Sequence, residues 1–255
     1  MRISWLKDDS TPLPPAEQAF PAGHELAGLV AAGGRLTPER LDEAYRNGLF
    51  PWYSEGQPVL WWSPDPRMLL EPGAFKVSRS FGKVLRRFVQ DPACEIRFDA
   101  DTPAVIKACA GAPRAGQSGT WIVPEMVEAY GVWHSQGAVH SVETWIEGRR
   151  VGGLYGVRIG RAFFGESMFA QQAEASKIAL AALVAWSRIN GIAFIDCQQV
   201  TAHLSSLGAR PVPRTDFLAR LREAVGTTPI DDWAYHRSTW SALGGVLPPS
   251  EDPGS

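Results

Sequence analysis

Apolar and polar positions alternate between helical and strand-like periods along the chain, and the switches outline its elements. Leu36-Thr37-Pro38-Glu39 reads as a helix start, with Thr37 as N-cap and Pro38 at the first helical position, and Asn47-Gly48 ends it. A helix is expected from Ser78 to about Val89, then a strand around Cys94 to Phe98, then a helix over Pro103 to Ala110. Beyond Pro124, Met126, Val127, Tyr130 and Trp133 recur at helical spacing up to Gly137 and are mostly core residues. The period then falls to two. Val139 to Ile146, Val151 to Val157 across the turn Glu147-Gly148-Arg149, and Arg161 to Phe164 predict an antiparallel meander. A helix Ile178 to Asn190, capped by Gly191, a strand Ile192 to Asp196, a short helix through His203-Leu204 and a helix Asp216 to Val225 with Thr215 as N-cap complete the pattern.

One stretch fits neither period. Leu49-Phe50-Pro51-Trp52-Tyr53 and Val59 to Arg67 are dense in aromatics and prolines, which favours a rigid, irregular wall over a regular element. Core packing suits at least one of Trp61 and Trp62, whereas Trp52, in a proline-bounded turn, suits stacking on a flat ligand. The elements imply an α+β protein: a small N-terminal domain over residues 1–71, a larger domain over 72–247, and a tail over 248–255 expected to be disordered. There is no internal repeat.

The chain has 255 residues, 45% of them apolar and 20% charged, enough to bury a sizeable core. No stretch approaches the roughly 20 apolar residues that cross a bilayer, and charge interrupts the N-terminus before a signal-like segment forms, so the cytoplasm is the expected location. Cys94, Cys109 and Cys197 lack a CxxC spacing and argue against a disulfide framework or a structural zinc site. The five histidines show no paired ligand spacing, and no metal is expected. A nucleophilic Cys197 with His203 as its base and a buried structural thiol are the two readings of that cysteine.

A net charge of −2 does not announce a nucleic-acid binder, but local clustering can act without it. Lys76, Arg79, Lys83, Arg86 and Arg87 fall within twelve residues with no acidic residue between Glu71 and Asp91, and 79, 83, 86 and 87 share one face of a helix. A phosphate-facing stripe and a solvated helix face both remain open.

The densest chemistry lies in Phe163-Phe164-Gly165-Glu166-Ser167-Met168-Phe169 and Phe194-Ile195-Asp196-Cys197-Gln198, where polar groups sit inside apolar runs. An unpaired buried carboxylate or carboxamide costs several kcal/mol, so Glu166, Asp196 and Gln198 answer to one another or to a ligand. Strand alternation puts Asp196 and Gln198 on one face and Cys197 on the other.

Seven blocks in order, Phe50-Pro51-Trp52-Tyr53-Ser54, Trp61 to Arg67, Gly119-Thr120-Trp121-Ile122, His140-Ser141-Val142-Glu143, Val151 to Gly156, Gly165 to Phe169 and Ile195 to Gln198, closely resemble the leucyl/phenylalanyl-tRNA–protein transferase family. The resemblance implies a larger domain of the GNAT-like acyltransferase fold, with an antiparallel or mixed sheet flanked by helices. It implies transfer of leucine or phenylalanine, and methionine less well, from aminoacyl-tRNA to the N-terminal Arg or Lys of acceptor proteins, marking them for degradation by the N-degron pathway. No cofactor or membrane is implied. Carried onto this chain, Gln198 contacts the attacking amine, Asp196 orients or polarises Gln198, and Glu166 binds an ammonium group. Gln198→Ala and Asp196→Ala are each expected to cut transfer at least tenfold with the fold intact. Trp52 and Trp121 flank the terminal adenosine; Leu154, Phe163, Gly165, Met168 and Ile195 line the pocket for the transferred side chain; the five basic residues meet tRNA phosphates. Two positions depart from the family pattern: Leu154 stands where Met is common, a volume-conserving exchange, and Glu174 where Asn is usual.

Two rivals remain. An acetyl-CoA-dependent N-acetyltransferase shares the α+β pattern, but Phe169 to Ser176 has no glycine for a pyrophosphate loop and carries a carboxylate. A non-catalytic RNA-binding module accounts for the basic stripe and leaves Glu166, Asp196 and Gln198 without a role.

Overall fold

The strands are β1 (Ser4–Leu6), β2 (Leu29–Gly33), β3 (Phe50–Pro51), β4 (Leu60–Trp62), β5 (Arg67–Leu70), β6 (Cys94–Phe98), β7 (Val139–Ile146), β8 (Arg149–Ile159), β9 (Ala162–Ala170), β10 (Phe194–Gln198) and β11 (Arg210–Val212). The helices are α1 (Pro38–Arg46), α2 (Arg79–Gln90), α3 (Thr102–Ala110), α4 (Pro124–Ser135), α5 (Ala175–Asn190), α6 (Ala202–Ser206) and α7 (Arg214–Val225). They come from a computed structural model that describes residues 2–8, 10–112, 122–228, 230 and 232–244.

Two mixed sheets organise these elements. The smaller runs β1-β2-β4-β3, with β1 parallel to β2 and the other pairs antiparallel. Pro51, which cannot donate to a ladder, lies on its edge strand. The larger runs β11-β5-β10-β9-β8-β7-β6, antiparallel except for the pair β9–β10, which α5 connects. A parallel pair needs such a crossover.

Alternation along the large sheet sends neighbouring residues to opposite cores. Tyr155, Phe164 and Phe194 join the side covered by α1, α3, α4 and α7; Leu154, Phe163 and Ile195 join the side covered by α2 and α5. Phe163, Phe164 and Phe194 are almost fully buried, each contributing about 1.5–3 kcal/mol of hydrophobic stabilisation.

The structure adds to the sequence reading or differs from it at several points. The aromatic stretch expected to be irregular holds β3 and β4, which are too short for a period to register. Arg67–Leu70, which falls within the segment 1–71, pairs with β10 and β11 in the large sheet. The strand expected to stop at Phe164 continues to Ala170. Helix α7 begins at Arg214, ahead of Thr215, because Asp65 Oδ1 accepts the Arg214 backbone N–H at 3.0 Å and supplies the cap from a distant loop. The start of α1 is as read: Thr37 accepts the Arg40 N–H at 3.2 Å. The expected tail over 248–255 lies outside the described residues.

Candidate active site where two strands part

Parallel pairing of β9 with β10 ends at Phe164↔Asp196, and beyond that point each strand carries an irregularity. On β9, Tyr155 faces Ser167 and Gly156 faces Gly165, which leaves Glu166 as the extra residue of a bulge. On β10, Asp196 faces Leu69 and Gln198 faces Met68, which leaves Cys197 as the extra residue of a second. Gln198 itself has a φ of 62°, a left-handed conformation that costs a non-glycine residue about 1–2 kcal/mol. Gly156 permits the first bulge, since a Cβ there would lie 2.2 Å from the Phe164 carbonyl oxygen. Simple alternation therefore does not govern how Asp196 and Gln198 are aimed; the bulge does.

The two irregularities bring the suspected polar groups together. Gln198 Nε2 donates to Glu166 Oε1 at 2.9 Å, and the same oxygen accepts from the Tyr45 hydroxyl at 2.7 Å. The Tyr130 hydroxyl donates to Glu166 Oε2 at 3.3 Å and lies 2.5 Å from that of Tyr45. Burial lifts the Glu166 carboxyl to about 7, with the Asp196 charge adding to it; the tyrosine hydrogen bonds and Arg67 pull the other way. Both phenols are pushed far up by burial and by Glu166, so they remain donors.

Asp196 reaches Gln198 through the main chain. It is fully buried and forms a two-pronged ion pair with Arg67, Nε to Oδ1 at 2.9 Å and Nη2 to Oδ2 at 2.6 Å. Arg67 also donates to the Gly48 carbonyl and lies against the rings of Phe50 and Phe217. The remaining capacity of Asp196 goes to the Gln198 backbone N–H at 2.8 Å, so it grips the left-handed residue by its main chain rather than by its carboxamide.

Beside this cluster is a cavity of about 250 Å³. Leu154, Phe163, Gly165, Met168 and Ile195 all line it, together with Leu180 and Leu183 of α5, and Glu166 stands at its polar side. Cys197 and His203 also border it, but burial and the Asp196 charge push the Cys197 thiol up, which disfavours the thiolate a nucleophile needs. Trp52 is half-buried and edge-on to Trp62, their ring centroids 5.6 Å apart. Trp121 lies outside the described residues. Lys76, Arg79, Lys83, Arg86 and Arg87 are exposed, while Phe81, Leu85 and Phe88 fix the other side of α2 in the core. Among the described residues no group of three or more His, Cys, Asp or Glu is placed to hold a metal, and no helix is long and apolar enough to cross a membrane.

Three partners were not singled out from the sequence. Arg67 opens an apolar strand, a signal that it needs a buried anion; Tyr45 and Tyr130 occupy core positions of their helices, where a hydroxyl requires a partner.

Comparison with known proteins identifies the relatives of this arrangement. The family described as leucyl/phenylalanyl-tRNA protein transferase matches residues 69–222, and its N-terminal domain family matches residues 34–65. The chain belongs to the leucyl/phenylalanyl-tRNA protein transferase family. A relative of that name from Methylibium petroleiphilum is 60% identical over 94% of this chain and 91% of its own length. Those from Cupriavidus pinatubonensis and Leptothrix cholodnii are 56% and 54% identical, over 94% and 98% of this chain and 97% and 99% of theirs. As a member of the transferase family it is an aminoacyltransferase. A GCN5-related N-acetyltransferase from Kribbella flavida overlaps at a TM-score of 0.32, with 14% identity, 67% of this chain and 59% of that one, too loosely to add to the fold or the chemistry.

Proposed function

We propose that this chain moves leucine or phenylalanine, and methionine less well, from aminoacyl-tRNA to the N-terminal Arg or Lys of an acceptor protein, marking it for degradation in the cytoplasm. The observation that carries this reading is the apolar cavity between β9 and β10 with the Glu166–Gln198 pair at its polar side. An aliphatic or aromatic side chain enters the cavity, and its ester carbonyl is left near the two polar groups.

The reaction asks little of the protein. The α-amine attacks the ester carbonyl, a C–N bond forms, the C–O bond to the tRNA 3′ end breaks, and the amine's proton leaves toward the departing oxygen. An N-terminal amine has an intrinsic pKa of about 7.7–8.0, so an appreciable fraction is neutral at pH 7. Holding amine and carbonyl in contact supplies several kcal/mol, and a hydrogen-bond acceptor for the amine adds a factor of about 10². Gln198 gives its amide N–H to Glu166 and offers its carboxamide oxygen to the amine. Glu166, when ionised, attracts an ammonium group of donor or acceptor. Asp196 and Arg67 hold Gln198 in its left-handed conformation.

The basic stripe joins the same site. The Lys76 backbone N–H donates to the Leu207 carbonyl at 2.9 Å, which ties the stripe to the α6 segment whose His203 and Leu204 border the cavity. Phosphates on Lys76, Arg79, Lys83, Arg86 and Arg87 position the tRNA without reading its bases, and Trp52, with Trp121, stacks on the terminal adenosine.

The acetyl-CoA alternative meets Glu174, whose carboxylate stands at the N-terminus of α5 where a pyrophosphate would need bare amides. The test is incubation with labelled leucyl-tRNA and peptides beginning with Arg, Lys or Ala. Label on the first two alone is expected, and no label on any peptide sinks the reading.

A further inference from the structure

Phe163, which lines the cavity, is stacked on Trp233, the ring planes 2° from parallel and the centroids 5.9 Å apart. Trp233 lies between α7 and the C-terminal 3-10 turn Arg237–Leu243, beyond the family match over 69–222. Its ring is also met by Trp186 of α5 at 4.4 Å, by His140 of β7 at 4.3 Å and by Phe98 of β6 at 4.8 Å, and the Arg158 guanidinium lies over it at 6.0 Å. His140 is itself fixed by Asp99 at 2.7 Å. The indole Nε1 has no hydrogen-bond partner among the described residues, so contacts to its faces and edges set the position of Trp233.

Phe163 is also packed closely against the Gly156 backbone. A Cβ on Gly156 would lie 2.5 Å from its ring, so the Gly156 backbone closes that side. On the wall that Phe163 forms, Trp233 is the ring that backs it. Trp186, which Trp233 touches nearly edge-on, sits one turn along α5 from the cavity-lining Leu183, so one indole braces both the strand wall and the helix wall.

We infer that Trp233 is a positioning residue for amino-acid selection: by holding Phe163 it sets the depth of the cavity and hence the preference between leucine and phenylalanine. This rests on the reading that the cavity takes the transferred side chain. A flat aromatic backing is stiff, and a stiff wall discriminates lengths that a yielding wall admits.

The test is competition between leucyl- and phenylalanyl-tRNA in one reaction, read as the ratio of kcat/KM values. Trp233→Leu should raise phenylalanine over leucine about fivefold with tRNA affinity unchanged, and Trp233→Phe, which keeps a stacking ring, should stay within about twofold. In a Phe163→Leu background Trp233→Leu should move the ratio no further, because its route to the substrate is gone. An unchanged ratio in folded Trp233→Leu overturns the inference, as does an equal shift in the Phe163→Leu background. Should Trp233→Leu fail to fold, Trp233→Met, bulky but without a flat face, replaces it with the same two outcomes. Gly165→Ala separates this inference from the reading beneath it. A Cβ there would find its nearest neighbours at 3.6 and 3.9 Å, so the fold accepts it. A ratio moved by Gly165→Ala but not by Trp233→Leu leaves the cavity reading standing and removes Trp233; a ratio moved by neither removes both.

Discussion

Gln198 Nε2 lies 2.9 Å from Glu166 Oε1 although thirty-two positions separate the residues. Each reaches the meeting point through a bulge, and the Tyr45 and Tyr130 hydroxyls also hold the carboxylate. The pair is thus fixed before any substrate arrives, which is what positioning catalysis requires. Gln198→Ala removes the carboxamide and keeps the backbone grip of Asp196, so transfer should fall at least tenfold with a melting temperature close to the parent's. Near-normal transfer in the folded variant would remove Gln198 from the mechanism.

Asp196→Ala should behave differently from Gln198→Ala. It strands a fully buried Arg67, and breaking such a pair costs about 3–5 kcal/mol. An intact fold is the expectation for both variants from the sequence alone; the buried ion pair predicts a marked loss of stability for this one. Urea denaturation of Asp196→Ala and of Arg67→Met–Asp196→Leu distinguishes the cases: the single variant loses several kcal/mol, while the double, which removes both charges together, should recover much of that stability. Equal destabilisation in the two would mean the ion pair is not the source.

The Glu166 carboxyl gives stability a pH dependence of definite sign. Its folded pKa of about 7 exceeds the ordinary value of 4.5, so between those limits the folded state retains a proton that the unfolded state has released. Stability from this group is full below pH 4.5, falls as pH rises toward 7, and levels off above it. The deficit at pH 8 is on the order of 3 kcal/mol. Glu166→Gln should show a flatter profile across pH 5 to 7.5 and exceed the parent's stability at pH 8; an unchanged slope would place the titration elsewhere. Transfer rises in any case as the attacking amine, with a pKa of about 7.7–8.0, loses its proton; the parent should add a second step near pH 7 as the Glu166 carboxylate forms, and Glu166→Gln should keep only the rise due to the amine.

Much of the fold was legible because its periods are long. The helices over α1, α2, α4 and α5 and the strands β6 to β8 carry enough residues for spacing to register, and Thr37 and Gly191 mark their limits by capping chemistry. The bulges left no such mark. Gln198 occupies a left-handed conformation without being glycine, and only interactions made after folding, the Asp196 grip and the end of β9 pairing, explain it. Glu166, Asp196 and Gln198 could be singled out because polar groups in apolar runs need partners; which partners they take depends on Arg67, Tyr45 and Tyr130, brought in from three other elements.

Charge reversal tests the basic stripe. Arg79→Glu and Lys83→Glu leave the buried face of α2 untouched, since both side chains are exposed. Binding of charged tRNA should weaken, and the slope of log K against log salt should shrink by about one for each phosphate that is no longer neutralised. An unchanged slope would show that tRNA approaches another face.

Glu174 adopts a geometry that suits Asn better than Glu. It stands at the N-cap of α5 with a φ of 67° and makes no side-chain cap hydrogen bond. Asn tolerates the left-handed region far better than Glu, whose longer side chain cannot bond locally to offset a penalty of about 1–2 kcal/mol. Against this, Glu174 pairs with Lys177 at 3.0 Å, and its charge suits the positive end of the helix. Both groups are about one-third exposed, so the pair contributes only a few tenths of a kcal/mol. The conformational gain is the larger quantity. Glu174→Asn should therefore stabilise the protein by about 0.5–1 kcal/mol, seen as a higher urea midpoint with an unchanged m-value. A lower midpoint would mean that the ion pair at the start of α5 outweighs the relief of its backbone.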